Sequence, residues 1–149
     1  MKKNIKPFQI NLSFPGNLDY IPPVRKFISE VLQQKQFDPK FAYRTEIIID
    51  EICNNAVSYG CTSVDASVNL LCDVHSDHVE LTITDEGGNN RDLNSLRSAV
   101  IEEKKQEQDW ENGHFRGLEI VRMLSEKIRL EIDDENLTSI RVVRKREDQ

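Results

Sequence analysis

Residues 46–60 (EIIIDEICNNAVSYG) constrain this chain more than any other stretch. Their periodicity is that of a helix, in which each residue turns about 100° around the axis, so Glu51 and Asn55, four apart, stand one above the other. With Ile48 as reference, Glu51 lies at roughly −60° and Asn55 at roughly −20°, flanked by Ile47 at about −100°, Ile52 at about +40° and Ala56 at about +80°. A carboxylate and a carboxamide are thus set inside an apolar stripe. Burying such groups without partners costs kilocalories per mole, so either neighbouring protein groups satisfy them or a ligand does.

The remainder of the chain reads as a single domain over residues 1–149, long enough to bury a sizeable core. Hydrophobic residues at 38% and charged residues at 31% describe a folded globular protein rather than a disordered one. The formal charge of −6 weighs against broad binding to nucleic acid or an anionic membrane. One basic run, RVVRKR at 141–146, reads as an edge strand entering a charged, solvated tail. The N-terminal MKKNIKPFQI has no apolar run of signal-peptide length, and no segment approaches the ~18 apolar residues of a membrane span, so the expected setting is the cytoplasm. Cys53, Cys61 and Cys72 are odd in number and lack paired C-x-x-C spacing, which predicts reduced thiols. Cys53 lies between Glu51 and Asn55 with no histidine near it in sequence, the setting of an inert buried thiol. His75 and His78 flank a turn and have no further metal ligands in reach of the sequence.

Taken in order, residues 7–14 alternate Phe8, Ile10, Leu12 and Phe14 with polar neighbours, the period of a half-buried strand. Pro15-Gly16 ends it. Asn17 or Asp19 can cap a helix running to about Gln36, with Pro22 and Pro23 confined to its first turn. Asp38-Pro39 caps and opens the central helix, which stops at Gly60. Alternating runs at 64–73 and 78–84 form a β-hairpin around a short polar turn. Beyond DEGGNN, residues from about 91 to 112 are highly charged with a fading helical pattern, which suits a mobile lid or a solvated helix. GHFRGLEIVRMLSEKI then restores an apolar helical stripe, and 128–133 with 139–143 make a second hairpin. The fold class that results is α+β: a two-layer sandwich with a mixed, mostly antiparallel sheet covered on one face by three helices.

Three motifs carry chemistry, and each alone has a bland reading. Glu51 and Asn55 could be satisfied by neighbouring backbone. Asp85-Glu86-Gly87-Gly88 is ordinary turn chemistry, although an aspartate closing an apolar strand beside small backbone leaves a carboxylate facing an open cleft. Gly113-His114-Phe115-Arg116-Gly117 opens a helix, where free N–H groups and the positive dipole end make an anion cradle.

In this order, E-x-x-x-N on a helix, D-x-G after a strand, a charged segment and G-x-x-R-G-L at a helix start resemble the N, G1 and G2 boxes of the GHKL ATPase superfamily. More closely, FPGNLDYIPPVRKFI, EICNNAVSYG, LTITDEGG and RGLEIVRMLSEKI resemble the anti-sigma-factor serine/threonine kinases of bacterial partner-switching systems, the RsbW/SpoIIAB type. The resemblance covers nearly the whole chain and implies a histidine-kinase-like ATPase domain of the Bergerat type, with a nucleotide lid at about 86–112. It implies ATP and Mg²⁺ as cofactors, with Asn55 giving its amide oxygen to the metal. Glu51 would be the general base for an incoming serine or threonine hydroxyl. Asp85 would accept from the adenine amine, with Gly87 leaving room for the base. Gly113, Gly117 and Leu118 would border the phosphates, and Arg116 would neutralise their charge.

The partners so implied are a STAS-domain anti-anti-sigma protein and a sigma factor, with a homodimer as the assembly and neither nucleic acid nor membrane engaged. The family pattern D-x-G-x-G meets Asn89 at its fifth position, and the segment between Gly88 and Gly113 has no glycine. Nucleotide binding is therefore more strongly expected than phosphotransfer. The rival class is a nucleotide-dependent binding module of the same fold without kinase activity. A detached histidine-kinase catalytic domain is a third reading, against which the E-x-x-x-N glutamate and the shortness of the chain both count.

Overall fold

A computed structural model describes residues 5–61, 65–86, 116–132 and 137–146. The expected lid, with Gly87 and Gly113, lies outside the described residues. Five strands form one sheet in the order β1-β2-β3-β5-β4: β1 Phe8–Pro15, β2 Ser67–Val74, β3 His78–Asp85, β4 Lys127–Ile132 and β5 Thr138–Lys145. Every described pairing is antiparallel, in keeping with the expected mostly antiparallel sheet, and none among the described residues is parallel. β3 and β4 run in the same direction, but β5 lies between them.

Side-chain alternation divides the sheet into two unlike faces. Ile10, Cys72, Leu81, Val142 and Ile128 form one cross-strand row beneath the helices, and Leu12, Leu70, Ile83, Ile140 and Leu130 form the next. The opposite face is polar. There Asn69 donates to Asn11 at 2.7 Å and to Ser13 at 2.9 Å, Thr84 meets Ser139 at 2.9 Å, and Arg141 pairs with Glu80 at 2.8 Å.

Among the described residues, three helices supply the second layer: α1 Ile21–Gln34, α2 Pro39–Gly60 and α3 Arg116–Leu124. The expected first helix begins later than Asn17, because that residue caps a separate 3-10 turn, Leu18–Tyr20, by accepting from the Asp19 N–H at 2.9 Å. Pro22 and Pro23 have no N–H to give and so occupy the first turn of α1. Asp38 caps α2, accepting from the Lys40 N–H at 2.8 Å, with Pro39 at the first position as expected. α2 packs on β2 and β3 below and on α1 and α3 at its sides, burying Phe41, Ile48, Ile49, Ile52, Cys53 and Ala56. Among the described residues no helix is long and apolar enough to cross a membrane.

The end of α1 is a Schellman turn. The Phe37 N–H reaches Leu32 O at 3.0 Å and the Gln36 N–H reaches Gln33 O at 3.0 Å, while Phe37 and Leu32 both join the core. Gln36 sits at φ 67°, in the left-handed region where glycine is the usual occupant.

The RVVRKR run departs from its expected role. β5 is an interior strand, and its alternation turns Val142, Arg144 and Arg146 toward the helices. Arg144, only 1% exposed, lies over the Phe41 ring at 4.1 Å. It donates to Phe41 O at 2.9 Å, to Thr45 Oγ1 at 2.8 Å and to Leu124 O at 3.0 Å. Arg146 stacks on Phe37 at 4.2 Å and donates to Gln36 O at 2.6 Å and to Ser76 O at 3.2 Å. Each arginine thus meets a carbonyl at the C-terminal end of a helix, α3 for Arg144 and α1 for Arg146, where a cation complements the dipole.

Replacing Gln36 by glycine removes a left-handed strain of about 1–2 kcal/mol and returns part of it as backbone entropy. Urea unfolding of Gln36→Gly is expected to show a stabilisation of roughly 0.5–1 kcal/mol with an unchanged denaturant slope.

Candidate functional site

The polar groups of the central helix face one end of the sandwich. β1 ends and β2 begins beside Cys61, which follows α2: Gly16 donates to Ala66 O at 2.9 Å, and a Cβ on Gly16 would lie 2.6 Å from the Cys61 sulfur. Antiparallel pairing brings the end of β3 and the start of β5, Asp85 opposite Thr138, to this same end. α3 runs back alongside α2 in the opposite direction. Its first turn meets Glu51 at Gly117, and its last carbonyl, Leu124 O, is tied through Arg144 to Phe41 and Thr45 near the start of α2.

A side chain at Gly117 would displace the Glu51 carboxylate from its present position. A Cβ there would sit 1.8 Å from Glu51 Oε2 and 2.7 Å from its Cδ. The carboxylate therefore lies directly against the backbone of the first turn of α3. Its pKa is raised, first by desolvation and second by the negative charge of Asp50. Asp50 in turn hydrogen-bonds Arg25 of α1, whose Nε also lies 3.9 Å from Glu46. Arg25 and Asp50 were not candidates from sequence; their i, i+4 neighbours Glu46 and Asp50 on α2 show only that a cation could bridge them.

Asn55 is 6% exposed and Asp85 is 3% exposed, so both carboxamide and carboxylate are drawn into the interior. Leu118 is buried in the core and fixes α3 from below, next to Gly117. Gly117, Leu118 and Glu51 are therefore neighbours, with Asn55 one helical turn beyond Glu51 and Asp85 at the same end of the sheet. Gly87, Gly113 and the side chain of Arg116 fall outside the described residues. Thr138, 1% exposed and in register with Asp85, is a site neighbour that sequence reasoning missed. No local signal identifies it, because its pairing requires β5 to enter beside β3.

Other reactive groups stand apart from this end or are inert. Burial pushes the Cys53 and Cys72 thiols up to about 12, as expected of structural cysteines, and among the described residues no disulfide forms. His75 and His78 stack at 4.2 Å in the β2–β3 turn, with His78 Nδ1 2.7 Å from Asp77. Among the described residues no cluster of three or more His, Cys, Asp or Glu side chains could hold a metal ion.

A family model described as histidine kinase-like ATPase domain matches residues 14–144. No curated protein sequence matches the chain significantly. Among solved structures, the fold is similar to the RsbU and RsbW domains of Rv1364c from Mycobacterium tuberculosis, with a TM-score of 0.63 and 15% identity, covering 92% of this chain and 32% of that one. It is also similar to the SiaB–SiaC complex from Pseudomonas aeruginosa, with a TM-score of 0.69 and 16% identity, covering 89% of this chain and 88% of that one. The chain thus spans about a third of the first and most of the second. At these identities the likeness is one of fold, and it agrees with the α+β sandwich read from the sequence.

The raised Glu51 carboxyl has a signed consequence. The native state retains a proton that the unfolded chain has already released, so the residue's contribution to stability is full at low pH and falls as pH climbs from the ordinary carboxylate range through the raised folded value. Glu51→Gln is expected to be more stable than the parent at pH 7, with the difference shrinking below about pH 4, in urea titrations run across that interval.

Proposed function

Because the chain belongs to the histidine kinase-like ATPase family, we propose that it binds ATP with Mg²⁺ at the Asp85, Asn55, Glu51 and Gly117 end of the sandwich and acts as a protein serine/threonine kinase. The observation that carries this reading is the Glu51 carboxylate against the bare backbone of Gly117. A general base must lie beside both the phosphates and the incoming hydroxyl, and the start of a helix is where phosphates are held.

The residues present fit a magnesium nucleotide. Asp85 is a buried acceptor at a strand end, suited to the adenine amine, and the bare backbone of Gly117 opens a helix beside Glu51. An amide oxygen from Asn55 suits Mg²⁺, a hard ion that takes oxygen ligands, keeps several waters and binds largely through substrate phosphates. In this scheme Asn55 holds the metal and Gly113, Gly117 and Leu118 border the phosphates, with Gly87 beside the base. Arg116 adds positive charge. The bound nucleotide supplies the phosphoryl group as electrophile. Glu51 takes the proton from the serine or threonine hydroxyl, a role that its raised pKa favours.

The motif order further supports a regulator of the anti-sigma or partner-switching kind, whose phosphorylated partner is a STAS-domain antagonist and whose sequestered partner is a sigma factor. A homodimer in the cytoplasm belongs to the same reading. That one protein sharing this fold is an RsbW domain and another comes from the SiaB–SiaC complex is in keeping with it.

The test is incubation of the protein with Mg-ATP and a panel of STAS-domain proteins, followed by identification of the phosphorylated residue. Transfer to serine or threonine is expected. Intact ATP binding without transfer to any of them would instead establish the non-catalytic binding module, the reading that Asn89 in the D-x-G-x-G pattern favours.

Two variants separate binding from chemistry. Asn55→Ala is expected to lose Mg-dependent nucleotide affinity by about 100-fold, measured calorimetrically, and unchanged affinity would remove the metal role. Glu51→Gln is expected to retain ATP but to slow transfer by about 10²–10⁴-fold, the usual contribution of a general base.

A further inference from the structure

We propose that Arg144, remote from the site, is a positioning residue for it: by binding α2 and α3 at once, its guanidinium fixes the axial register that sets Gly117 against Glu51. The inference rests on the nucleotide-site reading above for its functional consequence and on geometry for everything else. Arg144 donates from Nε to Leu124 O, the last carbonyl of α3, and from Nη1 to Phe41 O and Thr45 Oγ1 in the first turns of α2. The Phe41 ring closes one face of the guanidinium at 4.1 Å.

From Thr45 to Glu51 is about 9 Å along α2, and from Leu124 to Gly117 about 10.5 Å along α3, so the two helices touch at one end and are tied at the other over nearly matched lengths. α3 has only nine residues; Leu118 and Val121 anchor it in the core, and Arg144 adds a tie at its far end. A slip of one residue would move α3 by about 1.5 Å and turn it by about 100°. Leu118 or Arg116 would then replace Gly117 opposite Glu51. Neither has the bare backbone that this contact requires, since even a single Cβ would overlap the carboxylate. Register is therefore not a loose variable here, and the residue that holds it acts through α3 on Glu51.

A lysine would keep the charge but not the fork. Its compact ammonium cannot point planar N–H groups at α2 and α3 from one rigid frame. The arginine geometry, rather than positive charge alone, is what the positioning requires.

The experiment compares the full chain with Arg144→Lys, Thr45→Val and a control, Ile28→Ala, which removes a buried α1 side chain but no group that bonds Arg144. Circular dichroism and thermal melts establish folding and the loss of Tm in each. Amide hydrogen exchange across residues 117–121 and calorimetric Mg-ATP affinity are then read below the melting range. Arg144→Lys is expected to speed exchange in α3 and to weaken Mg-ATP binding, each by about tenfold. Thr45→Val, which deletes one acceptor and keeps the arginine, is expected to move both readouts the same way by less. Ile28→Ala is expected to lower Tm without selective change in either.

Should Arg144→Lys not fold, Thr45→Val alone decides. Parent-like exchange in α3 and parent-like affinity in the folded variant overturn the proposal, as does an equal effect in a control of matched Tm loss. Failure of the parent to bind Mg-ATP overturns the proposed function instead, while the exchange comparison still decides whether Arg144 positions α3.

Discussion

The contact between the Glu51 carboxylate and the backbone of Gly117 sets the spacing on which the helix layer depends. Packed helices ordinarily hold their axes 8–10 Å apart according to the side chains between them, and here one of the two contributes none. α3 can therefore come close to α2 at its first turn, while Leu118, one position on, turns into the core and anchors it. The approach partly withdraws Glu51 from water. What results is a carboxyl group whose proton affinity is raised beside backbone that can face an anion, a combination made by two helices and not by either alone.

Electrostatics along α2 extend this arrangement. Asp50 raises both Glu51 and Cys53, its neighbours on the same helix, after desolvation has done the larger part. Arg25 pairs with Asp50 from α1 and so offsets some of the negative field in which Glu51 titrates. The three helices are linked through charge as well as packing: α1 acts on Asp50, and α3 lies against Glu51.

Much of this was legible in the sequence because it is local. Alternation at Phe8, Ile10, Leu12 and Phe14 marks a strand, Asp38-Pro39 marks the start of α2, and the 100° step places Glu51 and Asn55 on a common side. The rest depends on distant pairings. RVVRKR looks solvated because cations usually are, and only the entry of β5 between β3 and β4 turns Arg144 and Arg146 inward. Gly117 is recognisable as a helix-opening glycine, but the side chain that excludes its Cβ comes from a residue 66 positions earlier (117 − 51). Gln36 gave no cue either, since a left-handed helix end is usually announced by glycine or asparagine.

The place of β5 also orders the assembly of the protein in time. β3 and β4 cannot complete their hydrogen bonding with each other, because the strand that joins them is the latest of the five in sequence. β4 and β5 are joined by a short connection and can pair as a hairpin first, but β3 gains its second neighbour only when β5 arrives with the two arginines that face the helices. Loop closure over such separations is slow, and exposed strand edges persist while it is awaited. The hydrogen bonds that tie α2 to α3 through Arg144 thus require β5 to be in place beside β3.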